Sequence, residues 1–312
     1  MAKAIRDIYG EVLAELGKKD ERVVVLDCDL SGSTKSGVFG KECPERFYNC
    51  GIAEYSMVGM AAGMAKMGKI PFCNTFAVFL TTLGGLAART FMSYSGLNMK
   101  LVGGYAGLSD AFDGCTHHAL EDVAIMRTLP GVSVMVASDA ATTRFLVETA
   151  IEKDIPMYLR MSRDTAEDCH PADAKFEFGK AFTVKEGTDV TIIAMGVEVG
   201  MAVKAAKILE EKGINARILD MFTVKPIDRE AIIKAAAETG AIVTAEEHSV
   251  IGGLGGAVAE VLVQEGCGVS VEMIGMQDTH GESGPYKALL HKYCLDEEAI
   301  AAAAEKAVSR KK

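Results

Sequence analysis

Short apolar runs, separated by stretches with helical period, set the strongest limit on how this chain can fold. Such runs sit at 22–27, 70–75, 99–103, 132–137 and 156–161, with helix-like stretches near 83–95, 120–129 and 140–151. Residues 3–17 precede them and read as an amphipathic helix, with Ile5, Ile8, Val12, Leu13 and Leu16 on one side. Strand and helix alternating at this spacing predict a mainly parallel sheet covered on both faces. Residues 163–177 break the rhythm; they are rich in Asp, Glu, Pro and Ala and read as a linker. A second alternation follows, with strands at 190–194, 216–220, 241–246 and 269–274, helices at 200–212, 229–239 and 257–264, and two more helices at the C-terminus. The expected fold class is therefore α/β, as two consecutive domains, each with a mainly parallel sheet flanked by helices. Their expected bounds are 1–165 and 179–312, joined by a linker at 166–178.

Size and composition narrow the functional classes. A chain of 312 residues suits two domains with a large core, and one that is nearly half apolar reads as globular. The formal net charge of −10 argues against general nucleic-acid binding, but not against small anionic substrates, which need only a local cluster of arginine. No run of eighteen apolar residues exists, so no membrane span is expected, and the N-terminus lacks the apolar core of a signal peptide. Cysteines at 28, 43, 50, 73, 115, 169, 267 and 294 form no C-x-x-C pair. They read as free thiols in a reducing cytoplasm rather than as a zinc site.

The segment Phe47-Tyr48-Asn49-Cys50-Gly51-Ile52-Ala53-Glu54 reads as a strand end, a turn and a helix start. The helix that follows, with Met57, Met60, Ala61, Met64 and Ala65, is apolar almost all round, a pattern that suits a buried helix. Glu54 is the one charge at its head. On local sequence it is either a first-turn partner of the helix dipole or a buried acid held for chemistry.

The wider pattern, Asn49-x-Gly51-Ile52-Ala53-Glu54-x-x-Met57-x-Gly59-x-Ala61-x-Gly63, resembles the pyrimidine-binding segment of transketolase. The resemblance runs on through Asp113-Gly114-Cys115-Thr116-His117, Asp189 to Gly196, Lys225-Pro226-Ile227-Asp228 and Glu246-Glu247-His248, almost end to end in the chain. It implies a thiamine diphosphate enzyme, in which the cofactor carries the hard step and a carboxyl group at the aminopyrimidine ring drives its shift to the imino form. It gives that role to Glu54. It places Phe79 against the aminopyrimidine, with Phe76 either beside it or in the core, and Asp29 near the cofactor. It makes His117 the active-site histidine, bonded to the ketose oxygens, and Asp113 the reader of the substrate's C2 hydroxyl. Arg6, Ser33 and Arg163 fall on its phosphate-binding positions. No metal ligand is expected within the chain.

The Gly-Asp-Gly segment that holds the cofactor's diphosphate and its magnesium ion in this family is absent from the sequence. The chain thus resembles the C-terminal subunit of a split transketolase. That implies a second polypeptide, the N-terminal transketolase subunit, holding the diphosphate with Mg²⁺ or Ca²⁺ in an α2β2 assembly. The expected activity is transfer of a two-carbon ketol unit from a ketose, expected to be a phosphate, to an aldose, as in the pentose phosphate pathway. The beta subunit of a 2-oxoacid dehydrogenase, a 1-deoxyxylulose-5-phosphate synthase-like enzyme and a non-catalytic partner subunit remain as alternatives. Three departures touch the substrate channel: Tyr105 stands where the family has histidine, Ser109-Asp110-Ala111-Phe112 replaces a glycine-glutamate pair, and Tyr55 replaces a glutamine common in split forms. The glycine run at 252–256 reads as close strand–helix packing, with a phosphate loop as the rival reading.

Overall fold

The computed structural model describes residues 3–171 and 173–311; Met1, Ala2, Ala172 and Lys312 lie outside them. Twelve strands follow in chain order: β1 (Val23–Asp27), β2 (Phe47–Asn49), β3 (Ile70–Phe76), β4 (Lys100–Gly104), β5 (Ser133–Val136), β6 (Met157–Arg160), β7 (Phe182–Lys185), β8 (Val190–Ala194), β9 (Ala216–Asp220), β10 (Thr223–Lys225), β11 (Ala241–Ser249) and β12 (Ser270–Met276). They form a seven-stranded sheet of order β10-β5-β6-β4-β3-β1-β2 and a five-stranded sheet of order β12-β11-β8-β9-β7. Every pairing is parallel except β10 with β5 and β7 with β9.

The two faces of the first sheet can be read along β1. Val23 and Val25 pack with Ile5, Tyr9 and Leu13 of the helix Ile5–Gly17, while Val24 and Leu26 pack with Met57 and Val58 of the helix Glu54–Lys66. This is the two-residue period of a strand buried on both sides, and each such side chain contributes roughly 1.5–3 kcal/mol of burial. The second cluster continues without a break into Ile193, Met221, Leu254 and Val258, so the two sheets share one apolar core.

Several elements differ from the sequence expectation. The stretch expected as one helix over 83–95 is a helical turn at Gly85–Ala87 that runs into a π-helix at Ala88–Tyr94, and a separate helix at Ala77–Thr82 precedes it. β7 and β10 were not anticipated; both are short, antiparallel edge strands whose partners are distant in sequence. The helix Glu54–Lys66 is buried on one face only: Met57, Val58, Ala61 and Ala62 are covered, whereas Tyr55 and Met60 are 48% and 44% exposed. Its outer face is covered only in part, with Tyr55 edge-on to Phe91 at 6.2 Å.

Residues 166–181 hold no helix or strand among those described, yet they are anchored. His170 Nδ1 lies 2.7 Å from Asp139 and its Nε2 lies 3.3 Å from Asp220. Burial alone would discharge this imidazole, but the two carboxylates hold it protonated, with its pKa raised to about 11. The glycine run also finds a partner inside the chain: the backbone N–H groups of Leu254 and Gly255 donate to the Glu246 carboxylate at 2.6 and 2.7 Å. A side chain at Gly253 would strike that same carboxyl group, and one at Gly255 would strike Met273 and Thr244, so these glycines serve close packing and the helix start is already capped from within the chain.

Candidate active site

In a parallel sheet the loops that leave the carboxyl ends of the strands gather at one edge, which is where ligands bind in open α/β folds. Here β1 and β2 end in register at Asp27 and Asn49, β3 pairs Phe76 with Gly104 of β4, and β6 ends at Arg160. The turn after β1, the start of helix Glu54–Lys66, the segment Phe76–Phe79, the long loop 105–121 and Arg163 therefore share this edge.

Burial and hydrogen bonding at the strand ends hold these loops in place. Asp27 is fully buried and accepts from Leu30 N at 2.6 Å, Thr34 Oγ1 at 2.8 Å and Ser36 Oγ at 2.7 Å, which folds the polar turn back on its strand. Two residues on, Asp29 adopts the left-handed conformation at φ 63° and accepts from Asn49 Nδ2 at 2.8 Å. Asn49 Oδ1 in turn receives the N–H of Gly51, itself at φ 69°, and so shapes the entry to the next helix.

Glu54 opens that helix and is only 4% exposed. Thr75 Oγ1 donates to its Oε1 at 3.0 Å and is the one side-chain donor to this carboxyl group among the described residues. The residue after Thr75 starts an aromatic cluster. Phe76 stacks on Tyr105 with centroids 4.1 Å apart and on Phe79 at 5.9 Å, while His117 stands edge-on to Phe79 at 5.3 Å. One face of Phe76 is thus taken by Tyr105; Phe79 is half-buried and less enclosed.

The loop 105–121 is braced by a bridge between Gly107 and Ala119 and turns sharply at Gly114, φ 78°. It carries Asp110, Asp113 and His117, from which one ligand atom each lies within 4.8 Å of the others. Thr116 Oγ1 is 2.9 Å from His117 Nδ1, which leaves Nε2 open. Asp110 is fully buried, and burial, with Asp113 beside it, pushes its carboxyl up to about 6. Its Oδ2 has no hydrogen-bond partner, while Oδ1 meets Arg163 Nη1 at 3.3 Å.

Arg6 joins this group because Ile5 N donates to Asp164 O, tying the first helix to the chain just past β6. The Arg6 guanidinium donates to the Tyr105 hydroxyl and to the backbone carbonyl of Ser33 at 3.4 Å, so Ser33 enters through its main chain. Arg6 and Arg163 line one cleft of about 300 Å³ with Ser109, Phe112, Asp164 and Tyr286. Of the residues singled out in the sequence, the fold gathers Arg6 and Arg163 around Tyr105, with the Ser33 carbonyl on Arg6, and sets Phe79 and His117 around Phe76. Asp113 sits beside Asp110 and His117, and Asp29 is held by Asn49 at the same sheet edge. Sequence reasoning missed Thr75, Asp27 and the buried state of Asp110. A lone acid closing an apolar strand was a readable signal for Asp27; nothing local marked the other two. His118 is buried, with neither ring nitrogen partnered, and packs against Gly281.

Comparison with known proteins bears on the family and the fold. Residues 1–167 match the family model of the transketolase pyrimidine-binding domain, and residues 179–300 that of the transketolase C-terminal domain. The chain is 46% identical, over 96% of its length and 94% of the relative's, to a Methanocaldococcus jannaschii protein provisionally described as a transketolase C-terminal section. It is 41% identical to a 6-deoxy-6-sulfo-D-fructose transketolase subunit from Clostridium sp., covering 98% of this chain and 95% of that one. A solved split-gene transketolase, described as an inactive β4 tetramer, superposes with a TM-score of 0.92 at 47% identity, covering 99% of each chain. Human transketolase is 38% identical over 96% of this chain, which spans 48% of that protein. The chain belongs to the transketolase family, as the section that split transketolases carry in a C-terminal subunit.

Proposed function

We propose that this chain is the C-terminal subunit of a thiamine diphosphate-dependent transketolase that moves a two-carbon ketol unit from a ketose to an aldose. The substrates are sugars with an anionic terminus, the class to which the sugar phosphates of the pentose phosphate pathway belong. The proposal includes cytoplasmic location, an α2β2 assembly with a separate diphosphate-binding subunit, and domains at 1–165 and 179–312 around a linker at 166–178.

The single observation that carries the reading is Glu54: a carboxyl group buried at a helix start, fixed through one oxygen by Thr75, with no other side-chain donor among the described residues. A carboxyl group held at one oxygen, with the other taking no side-chain bond, fits a ring nitrogen held close to it. The half-buried ring of Phe79 offers a flat apolar surface for the aminopyrimidine, an arrangement worth roughly 0.5–1.5 kcal/mol beyond burial. When bound, thiamine diphosphate supplies the electron sink for cleaving the bond next to a ketone.

This chain's own residues orient and move protons. Glu54 holds the proton at the ring nitrogen it faces. His117, steadied by Thr116 at Nδ1, exchanges a proton with the sugar oxygens through Nε2. Asp113 fixes a sugar hydroxyl beside it, and Arg6 and Arg163 hold the distal end of the substrate. The diphosphate and its Mg²⁺ or Ca²⁺ belong to the partner subunit in this reading, because this chain lacks Gly-Asp-Gly. The exposed outer face of helix Glu54–Lys66, with Tyr55 and Met60, is the surface such a subunit would cover.

The test is reconstitution with the diphosphate-binding subunit and assay of xylulose 5-phosphate with ribose 5-phosphate, alongside Glu54→Ala. Loss of a positioned acid of this kind lowers the rate by roughly 10²–10⁴-fold. Activity that survives Glu54→Ala would remove the mechanism.

A further inference from the structure

We propose that residues 281–284 of the C-terminal domain position His117, by carrying the apex of the loop 105–121 on a surface with no room for a further side chain. The proposal rests on the ketol-transfer reading. It adds a positioning element from the half of the chain to which that mechanism gives no role.

The loop leaves β4 of the first sheet, but it is held at two levels. Its stem belongs to the first domain. Gly107 bridges Ala119, Ala106 N donates to Met161 O at 3.1 Å, and Arg160 Nη2 donates to Ala119 O at 3.2 Å. Beyond the stem the contacts pass to the C-terminal domain. Leu108, Ala111 and Leu120 share one buried apolar cluster with Met276, Leu289, Leu290 and Leu295. Gly284 N donates to Ala111 O at 3.0 Å. Met276 closes β12 and Leu289 lies in the helix Tyr286–Lys292, so residues 281–284 cross between two fixed elements. An ion pair of Glu282 with Lys292 ties the crossing to that helix.

At the apex the fit is too close for an added side chain. A Cβ at Gly281 would stand 2.3 Å from His118 Nδ1 and 2.7 Å from Leu108 Cδ2, and one at Gly114 would stand 2.4 Å from Ser283 Oγ. These two contacts flank His117. Gly114 O accepts from His117 N at 2.9 Å and from His118 N at 3.2 Å, so the three residues share one turn. His118 is 3% exposed and neither ring nitrogen has a hydrogen-bond partner, so packing sets its place. Displacing His118 or Gly114 therefore displaces His117. The bond from Thr116 to His117 Nδ1 lies within the same turn and travels with it. A reacting group misplaced by about 1 Å can lose roughly 100-fold in rate.

Gly281 does not use the left-handed region, so alanine there changes the contact rather than the backbone. The complex of this chain with its diphosphate-binding subunit is assayed with xylulose 5-phosphate and ribose 5-phosphate. Gly281→Ala should lower kcat roughly tenfold and change KM by less than about threefold, because Arg6 and Arg163 hold the distal end of the sugar from other elements. The thermal midpoint checks that the chain is folded at the assay temperature. Should Gly281→Ala fail to fold, Ser283→Val presses on Gly114 from an exposed position and should lower kcat in the same way. A wild-type kcat in the folded variant, or a loss confined to KM, overturns the proposal.

A second readout needs no turnover. Side-chain ¹H–¹⁵N spectra of the full-length chain, with His117 assigned through His117→Ala, should show the His117 ring signals moved in the folded variant. Those of His170, held between Asp139 and Asp220, should stay in place. Unmoved His117 signals overturn the proposal, and so does a general shift that includes His170. If the wild-type complex transfers no ketol unit, the ketol-transfer reading fails by itself. The spectra then decide alone whether residues 281–284 position His117.

Discussion

Two clusters of charge lie within this chain, one at the edge of the first sheet and one in the seam between the sheets. In the seam, Arg160 Nε donates to Asp122 Oδ2 at 2.7 Å, Tyr158 donates to the same oxygen at 2.6 Å, and Arg160 Nη2 donates to the Glu247 carbonyl at 2.9 Å. Burial pulls His248 down to about 4, so it is neutral at pH 7 and Arg160 is the counter-charge that keeps Asp122 ionised. Glu247 Oε1 accepts from Leu108 N at 2.7 Å and so pins the loop that carries His117. At the sheet edge Glu54 has a single side-chain donor and Asp110 meets Arg163 alone, whereas Asp122 takes two side-chain donors; Asp122 Oδ1 and Asp110 Oδ2 are each without a hydrogen bond. The seam pair of Arg160 and Asp122 is closed to solvent, whereas at the edge the Arg163 side chain that meets buried Asp110 is 37% exposed. The first arrangement holds the sheets together, and the second leaves bonding capacity for a ligand.

That contrast can be broken most directly at Arg160. Arg160→Met leaves Asp122 buried without its cation, and should lower unfolding free energy by roughly 3–5 kcal/mol. Urea unfolding checks this, and a loss below about 1 kcal/mol would mean that the seam ion pair is not structural. A smaller effect, on a different quantity, is expected at the edge. His117→Ala should cost about 100-fold in kcat/KM of the reconstituted enzyme, or ~2.7 kcal/mol, with the thermal midpoint of the chain unchanged. A fall in that midpoint would make His117 part of the scaffold.

A third effect concerns pH. The folded-state pKa of His170 is raised from 6.5 to about 11, so the folded chain binds the extra proton between those values. Its contribution to stability is therefore complete below pH 6.5 and is lost as pH rises through about 11, with a slope of at most ~1.4 kcal/mol per pH unit. Asp139 is held down to about 2: burial opposes its ionisation, but His170 outweighs burial. Its share is present above the ordinary aspartate range and is lost as pH falls through about 2. Chemical unfolding at pH 7 and 9 should show a steeper alkaline loss in wild type than in His170→Gln. Parallel curves would remove His170 as the alkaline clasp.

Much of the scaffold was readable because its signals are local. The two-residue period of β1, the helix at Ile5–Gly17 and the break after residue 162 are all patterns within a few residues. β7 and β10 escaped because a three- or four-residue edge strand has too few positions to show a period. In the site, Glu54 stood out as one acid in an apolar helix, yet Thr75, which fixes it, is 21 residues away. The pairing of Arg6 with Tyr105 spans 99 residues, and that of Glu247 with the loop at Leu108 spans 139.

The sequence by itself determined the alternation of strands and helices, the break between its two halves, and which acid, histidine and arginines are proposed to carry the chemistry. Residue type and spacing along the chain are enough for that, because hydrophobic period and side-chain chemistry are local properties. Only the tertiary structure decided which charges cancel one another and which stay open. It closed Glu246 on its own helix start, set His170 between two carboxylates, and left Glu54 with one side-chain donor and Asp110 Oδ2 with none. Burial and partner distance govern those outcomes, and both are fixed by contacts between residues far apart in the chain.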